Sequence, residues 1–203
     1  YRGSTALNFA LTFEKEFVLL KNPNKVTAGK CGENLTWEKD DDGTLYIRGK
    51  GKMSFLPDEP TWKDDYRDEI TTVIIEEGVT SIVDFAFENC INLKSITIPD
   101  SVTKIGPEAF FNCQKLEEIT LPSGITEISS WMFMDCTSLK NVDIPDSVTV
   151  IGGGVFECCS SLKNITIPAA VTTIHGDAFR GCTSLTDVYF LGTKKQWNAI
   201  ECN

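Results

Sequence analysis

"LKSITIPDSVTKIGPEAFFNCQK", residues 93–115, carries two rhythms in one short stretch. Leu93, Ile96 and Ile98 are apolar while Ser95 and Thr97 are polar, the period of two expected of a half-buried strand. Pro99 ends that strand, because proline has no N–H to give to a ladder. Val102 and Ile105 mark a second inward-facing edge. "PEAFFNC", residues 107–113, reads as a single helical or 3₁₀ turn that returns Ala109, Phe110 and Cys113 to the core.

The stretch recurs. Steps of 23 residues connect Cys90, Cys113, Cys136, Cys159 and Cys182, and likewise Leu93, Leu116, Leu139, Leu162 and Leu185. Phe87, Phe110, Phe133, Phe156 and Phe179 keep the same interval, as do Pro99, Pro122, Pro145 and Pro168. Chance does not hold these ladders in register without a gap, so this is a repeat protein. A unit this short cannot bury its apolar face alone, so neighbouring units must stack. Five full units run from Ile70 to Ser184, and a partial sixth starts at Leu185.

The pattern L-x-x-I-x-I-P…V-x-x-I…A-F-x-x-C resembles the leucine-rich repeats of the bacterial surface type found in BspA-like proteins. The likeness covers about residues 31–200. "CGENLTWEKDDDGTLYIRGKGKM" and "VYFLGTKKQWNAI" resemble the leading and trailing segments of such proteins. The first unit departs from the pattern: Glu76 stands where the strand-ending proline belongs, and Val83 and Phe85 replace a small and a polar residue. The resemblance implies an α/β leucine-rich-repeat solenoid, right-handed, with a short parallel strand and a short helical turn in each repeat. It also implies secretion or cell-wall display, and roles in adhesion or host-protein contact.

The expected organisation is a segment of unclear role (1–28), an N-terminal β cap (29–69), five repeats (70–184), and a partial repeat with a C-terminal cap (185–203). A solenoid exposes core at both ends and needs such caps. "LTWEK" and "TLYIRG" flank "DDDG", a hairpin with an Asp-Gly turn, and Leu35, Trp37, Leu45, Ile47 and Trp62 would cover the first rung. "DDDG" lacks the later ligands of a calcium loop. Thr193 with Gln196 forms a capping-box signature for a helix start, after which Trp197 and Ile200 offer an apolar lid. The chain begins at Tyr1 rather than Met and reads as processed or trimmed. "LNFALTF" alternates at strand period, as an added strand or as a remnant of cloning.

The laddered cysteines invite a metal or disulfide reading. Metal ligands must converge on one point, whereas equivalent positions on successive turns form a line. A small buried thiol packed between units fits better. Cys158 is not part of that line. Its column holds Asn89, Asn112, Asp135 and Gly181, residues that tolerate left-handed backbone, so it belongs to a surface turn. Cys31 and Cys202 lie in the terminal segments with no assignable bridge.

The net charge of -10 argues against nucleic acid, which demands a basic footprint, and against anionic lipid. No apolar run reaches the roughly 18 residues of a membrane span. His175 is the one histidine and shares a turn column with Gly106 and Gly152. "IGGGVF", residues 151–156, has no strand feeding a long helix and no following lysine, so it is no phosphate loop. No nucleophile, base or cofactor site emerges, and no metal or cofactor is expected. Asn34 and Asn164 open N-x-T sequons, which matter if the source glycosylates secreted proteins.

Function must then come from surface. Two polar rows line the strand face: Ser95, Glu118, Asn141, Asn164 and Asp187, and beside them Thr97, Thr120, Asp143, Thr166 and Tyr189. Glu118, Asn141, Asp143, Asn164, Asp187 and Tyr189 are the candidate contacts for a protein partner, host or matrix by the family resemblance. Tyr189 has a second reading, shielding the last strand beside the C-terminal cap. Phe85, Phe111, Trp131 and Met134 occupy columns that are otherwise polar, and form a candidate apolar patch. Residues 1–28 are the alternative cover for it. An adhesive binding module and a passive spacer within a larger surface protein are the two functions this pattern admits.

Overall fold

The computed structural model describes residues 27–55 and 61–202. Two columns of short strands run along it. The first begins as an antiparallel meander of β1 (Ala28–Gly32), β2 (Leu35–Lys39) and β3 (Thr44–Gly49), and β3 then pairs in parallel with β5 (Thr72–Ile75). It continues through β7 (Ser95–Thr97), β9 (Glu118–Thr120), β11 (Asn141–Asp143), β13 (Asn164–Ile167) and β15 (Asp187–Phe190). The second column holds β4 (Gly51–Lys52), β6 (Val79–Ile82), β8 (Lys104–Ile105), β10 (Glu127–Ile128), β12 (Val150–Ile151), β14 (Thr173–Ile174) and β16 (Glu201–Cys202). Successive rungs are joined by ladders in both columns, in one, or in neither, with Pro99 and its equivalents separating the two columns.

The apolar ladders fill the space between the columns. Leu93, Leu116, Leu139 and Leu162, with Phe87, Phe110, Phe133 and Phe156, are fully buried. Successive phenylalanine rings stack at 5.5–5.7 Å between centroids, nearly parallel from Phe87 through Phe179. The cysteine ladder has a role beyond filling space. Sγ of Cys113, Cys136, Cys159 and Cys182 donates to the carbonyls of Phe87, Phe110, Phe133 and Phe156, at 3.0–3.3 Å. Each thiol ties its rung to the previous one, and all the described cysteines are free.

The expected helical turn is absent from the repeats. "PEAFFNC" and its equivalents form non-helical turns, for a backbone reason. In an α or 3₁₀ turn, successive N–H groups would bond four or three residues back in the same segment, as only alternate ones do here, Met134 to Trp131 and Cys136 to Phe133. Here Trp131, Phe133 and Asp135 donate instead to Gly153, Val155 and Glu157 of the next rung, all at 2.9 Å. Left-handed backbone aims these amides outward: φ is 54° at Trp131 and 60° at Asp135. The turn is thus a third, one-sided ladder, with donors towards the C-terminal neighbour.

The N-terminal end is closed. Asp40 Oδ1 accepts the amides of Asp42 and Thr44 in the β2–β3 turn, at 3.0 and 2.8 Å. Leu35, Trp37, Leu45 and Ile47 are buried, with Trp62 of the short helix α1 (Trp62–Asp65) packed on them. Glu76 can replace proline because the first rung pairs differently: its N–H donates to the Ile47 carbonyl at 3.0 Å, a bond proline cannot make. Its carboxylate also holds Arg48, which reaches Glu38 on β2 as well.

The C-terminal end is open among the described residues. Helix α2 (Lys194–Trp197) carries the expected capping box between Thr193 and Gln196. It buries none of its own residues: Trp197 is 42% exposed with its ring centroid 5.3 Å from that of Phe190, while Ile200 just beyond the helix is half-buried. Val188, in the inward column of Ile165 and Val142, is 46% exposed, and no further rung covers it among the described residues. The amides of Asp177, Phe179 and Gly181 likewise meet no following rung among the described residues.

Candidate functional site

Strand alternation decides what the first column shows to solvent. On β11 the pattern is Asn141 out, Val142 in, Asp143 out, and β9 and β13 repeat it. Register then aligns the outward groups. Asn141 pairs with Glu118 and Asp143 with Thr120, while Asn164 pairs with Asp187 and Thr166 with Tyr189. Glu118, Asn141, Asp143, Asn164, Asp187 and Tyr189 are therefore all exposed on one face, Tyr189 by 55%. This places Tyr189 on the outermost described strand, with its ring uncovered.

One feature of this face was invisible in the sequence. Among the described residues no ladder joins β7 to β9 or β11 to β13, so the column is split into a five-stranded sheet and two strand pairs. Each seam underlies a depression of about 240 Å³. The first is lined by Ser95, Glu118, Thr120, Asn141 and Asp143 among others, the second by Asn141, Asp143, Asn164 and Thr166. Asn141 and Asp143 border both. A seam leaves peptide groups near the surface that a continuous sheet would have consumed.

The turn column presents a different chemistry. Phe85 and Trp131 are 38% and 46% exposed, whereas Phe111 and Met134 are half-buried, so the four are not equally open as the pattern had suggested. Phe85, Glu108 and Trp131 all have positive φ, 54–59°, the value Gly154 takes at the same position. Bulky side chains avoid this region, at a cost of about 1 kcal/mol or more each. At its N-terminal edge Lys63 lies 5.8 Å above the Phe85 ring and 3.7 Å from Glu88.

Burial pushes the Cys90 thiol up to about 12 and raises the buried Cys113 and Cys159 thiols as well, so these groups stay protonated and unreactive. Among the described residues no group of three or more His, Cys, Asp or Glu side chains could hold a metal ion. His175 sits half-buried in its turn, its amide donating to Ile151 at 2.9 Å.

The profile of the BspA type leucine rich repeat region matches residues 65–186 in six copies. The chain belongs to the BspA-type leucine-rich-repeat family. Repeats of this family generally serve in bacterial surface proteins as protein-interaction modules. Among solved structures, this BspA-type chain is similar to a leucine rich cell surface protein from Faecalibacterium prausnitzii A2-165, with 35% identity and a TM-score of 0.67. That match covers 84% of this chain and 41% of the other. A leucine-rich repeat protein from Bacteroides ovatus is 28% identical with a TM-score of 0.50, covering 78% of this chain and 52% of its own. A leucine-rich repeat protein of T. pallidum shares the fold at 24% identity and a TM-score of 0.54, covering 78% and 80%. The chain thus spans about two fifths of the F. prausnitzii protein and half of the B. ovatus one. No curated protein matches it in sequence. No helix among the described residues is long and apolar enough to cross a membrane.

Proposed function

We propose that this BspA-type chain is a non-catalytic interaction module displayed outside the cell, and that it takes a protein partner on its strand-column face. The alignment of exposed Glu118, Asn141, Asp143, Asn164, Asp187 and Tyr189 on one face, with Asn141 and Asp143 bordering both depressions, carries this reading. Extended repeat faces give partners a long, rigid contact surface. Tyrosine supplies a large contact at low entropic cost, and the carboxylates favour capture of a basic partner, a host or matrix protein. The likeness to a cell surface protein supports the extracellular placement. A spacer role draws on a different observation: the matched region is a minor part of that longer relative.

The test is a pull-down of host matrix proteins with the isolated chain, followed by a Tyr189→Ala, Asp143→Ala double variant. Loss of binding by roughly tenfold or more, with an unchanged melt, supports the strand face. Unimpaired binding moves the site elsewhere. Retention of no protein at all by the wild type favours the spacer.

A further inference from the structure

The turn column offers a second surface, independent of the strand face. Phe85, Glu108 and Trp131 stand on three consecutive rungs, with Phe111 beside Glu108 and Met134 beside Trp131. Neighbouring strands lie roughly 4.8 Å apart, so the backbone positions of Phe85 and Trp131 are separated by about 10 Å. Both aromatics are exposed, and both are held in left-handed backbone that Gly154 occupies without penalty in the same column. Gly154 is fitted to its neighbour: a Cβ added to it would lie 2.5 Å from Trp131 Cδ1, so the indole rests on this rung.

The chain itself shows which ligand chemistry suits such a strip. At its N-terminal edge the Lys63 ammonium lies over Phe85 and Phe55, at 5.8 and 5.0 Å, and 3.7 Å from Glu88. Glu108 repeats the carboxylate–aromatic arrangement one rung on, between Phe85 and Trp131, but pairs with no cation among the described residues. Its carboxyl is held above the ordinary range by partial burial and by Glu88, as suits a site lacking a counterion.

We propose that this strip docks a basic peptide segment of a partner, seating one arginine or lysine side chain on Glu108 between the rings of Phe85 and Trp131. The cation gains the carboxylate and two aromatic faces, and the peptide's apolar neighbours cover Phe111 and Met134. Arg180, already within 3.4 Å of Glu157, bounds the strip on its C-terminal side.

A short peptide of alternating arginine and alanine, titrated into the full chain by fluorescence anisotropy, tests this. Trp131→Gly is the informative variant, because glycine relieves the left-handed backbone and keeps the fold. Trp131→Gly and Glu108→Gln should each weaken binding roughly fivefold or more, while the Tyr189→Ala, Asp143→Ala double variant binds as the wild type does. The same peptide with citrulline for arginine should not bind. No binding by the wild type, or equal binding by Trp131→Gly and Glu108→Gln, overturns the proposal. So does protection of Trp131 from hydroxyl-radical oxidation in the free chain, since that places this chain's own residues or a second copy on the strip.

Discussion

The indole N–H of Trp62 donates to the carbonyl of Ala86 at 2.8 Å, replacing a bond that a preceding rung would otherwise make. Inside the stack the equivalent carbonyl, that of Ala109, accepts the amide of Phe87. The Trp62 ring also extends the phenylalanine column, 5.8 Å from Phe87 and tilted by 21°. One side chain thus mimics both the backbone donor and the stacked ring of a missing rung. Trp62→Phe keeps the ring but orphans a buried acceptor, and should cost about 1–3 kcal/mol. Trp62→Ala loses both and should cost about 3–5 kcal/mol. Equal melts for the two variants would show that the indole N–H contributes nothing to the cap.

Phe133 stands between Phe110 and Phe156, with its carbonyl accepting from Cys159. Phe133→Ala should cost about 3–5 kcal/mol by cavity formation. Because each rung touches only its neighbours, the loss divides the stack into an N-terminal part that the Trp62 cap protects and an open C-terminal part. Hydrogen exchange should then rise at Asp135 and Cys158 before Phe87, and the denaturant transition should broaden or split. A single sharp transition at the wild-type midpoint would contradict this.

The strands and the buried ladders were legible because burial at a fixed spacing writes itself into residue type. Leu116, Phe110 and Cys113 cannot be polar without a penalty, so the period of 23 survives in every unit. The turn was misread as helical because apolar spacing reports which side chains point inward, and says little about where amides point. Asn89, Asn112 and Asp135 did mark one left-handed column, but Phe85, Glu108 and Trp131 concealed the other. β1 was missed because "AGKCG" has almost no apolar alternation and is held by its pairing with β2. The seams beside β9 and β11 were illegible for the opposite reason: near-identical sequences flank joined and unjoined strands alike. Candidate contact residues could be placed on a face from the strand period, whereas a partner leaves no periodic mark.

Thiol chemistry should follow position on the ladder. Cys202 is exposed, while Cys158 is half-buried with its Sγ near Gly181. Partial burial, then the charges of Asp135 and Glu157, hold the Cys158 thiol above the ordinary range. The thiolate is the reactive form, so a maleimide should label Cys202 first, Cys158 next, and Cys182, whose thiol is pushed up to about 11, more slowly. Cys113, Cys136 and Cys159 should react only on unfolding. Mass spectrometry showing a Cys113–Cys136 disulfide in the native chain would overturn the account of thiols that donate to carbonyls of the preceding rung.

Glu108 makes the stability of the turn column depend on pH, with a sign opposite to that of a salt-bridged carboxylate. Its folded pKa is raised, first by desolvation and then by Glu88, so the folded chain holds this proton more tightly than the unfolded one. Stability contributed by the group therefore falls as pH rises from the ordinary carboxylate range through the raised value. At neutral pH the charged carboxylate is a small net burden, screened in part because the group is only half-buried. Glu108→Gln, which keeps the shape and removes the charge, should raise the melting temperature slightly at neutral pH. The difference should shrink to nothing below the ordinary carboxylate range, where both side chains are neutral. A Glu108→Gln chain that melts lower than wild type at neutral pH would mean the carboxylate already holds a cation, and that the strip between Phe85 and Trp131 is not vacant.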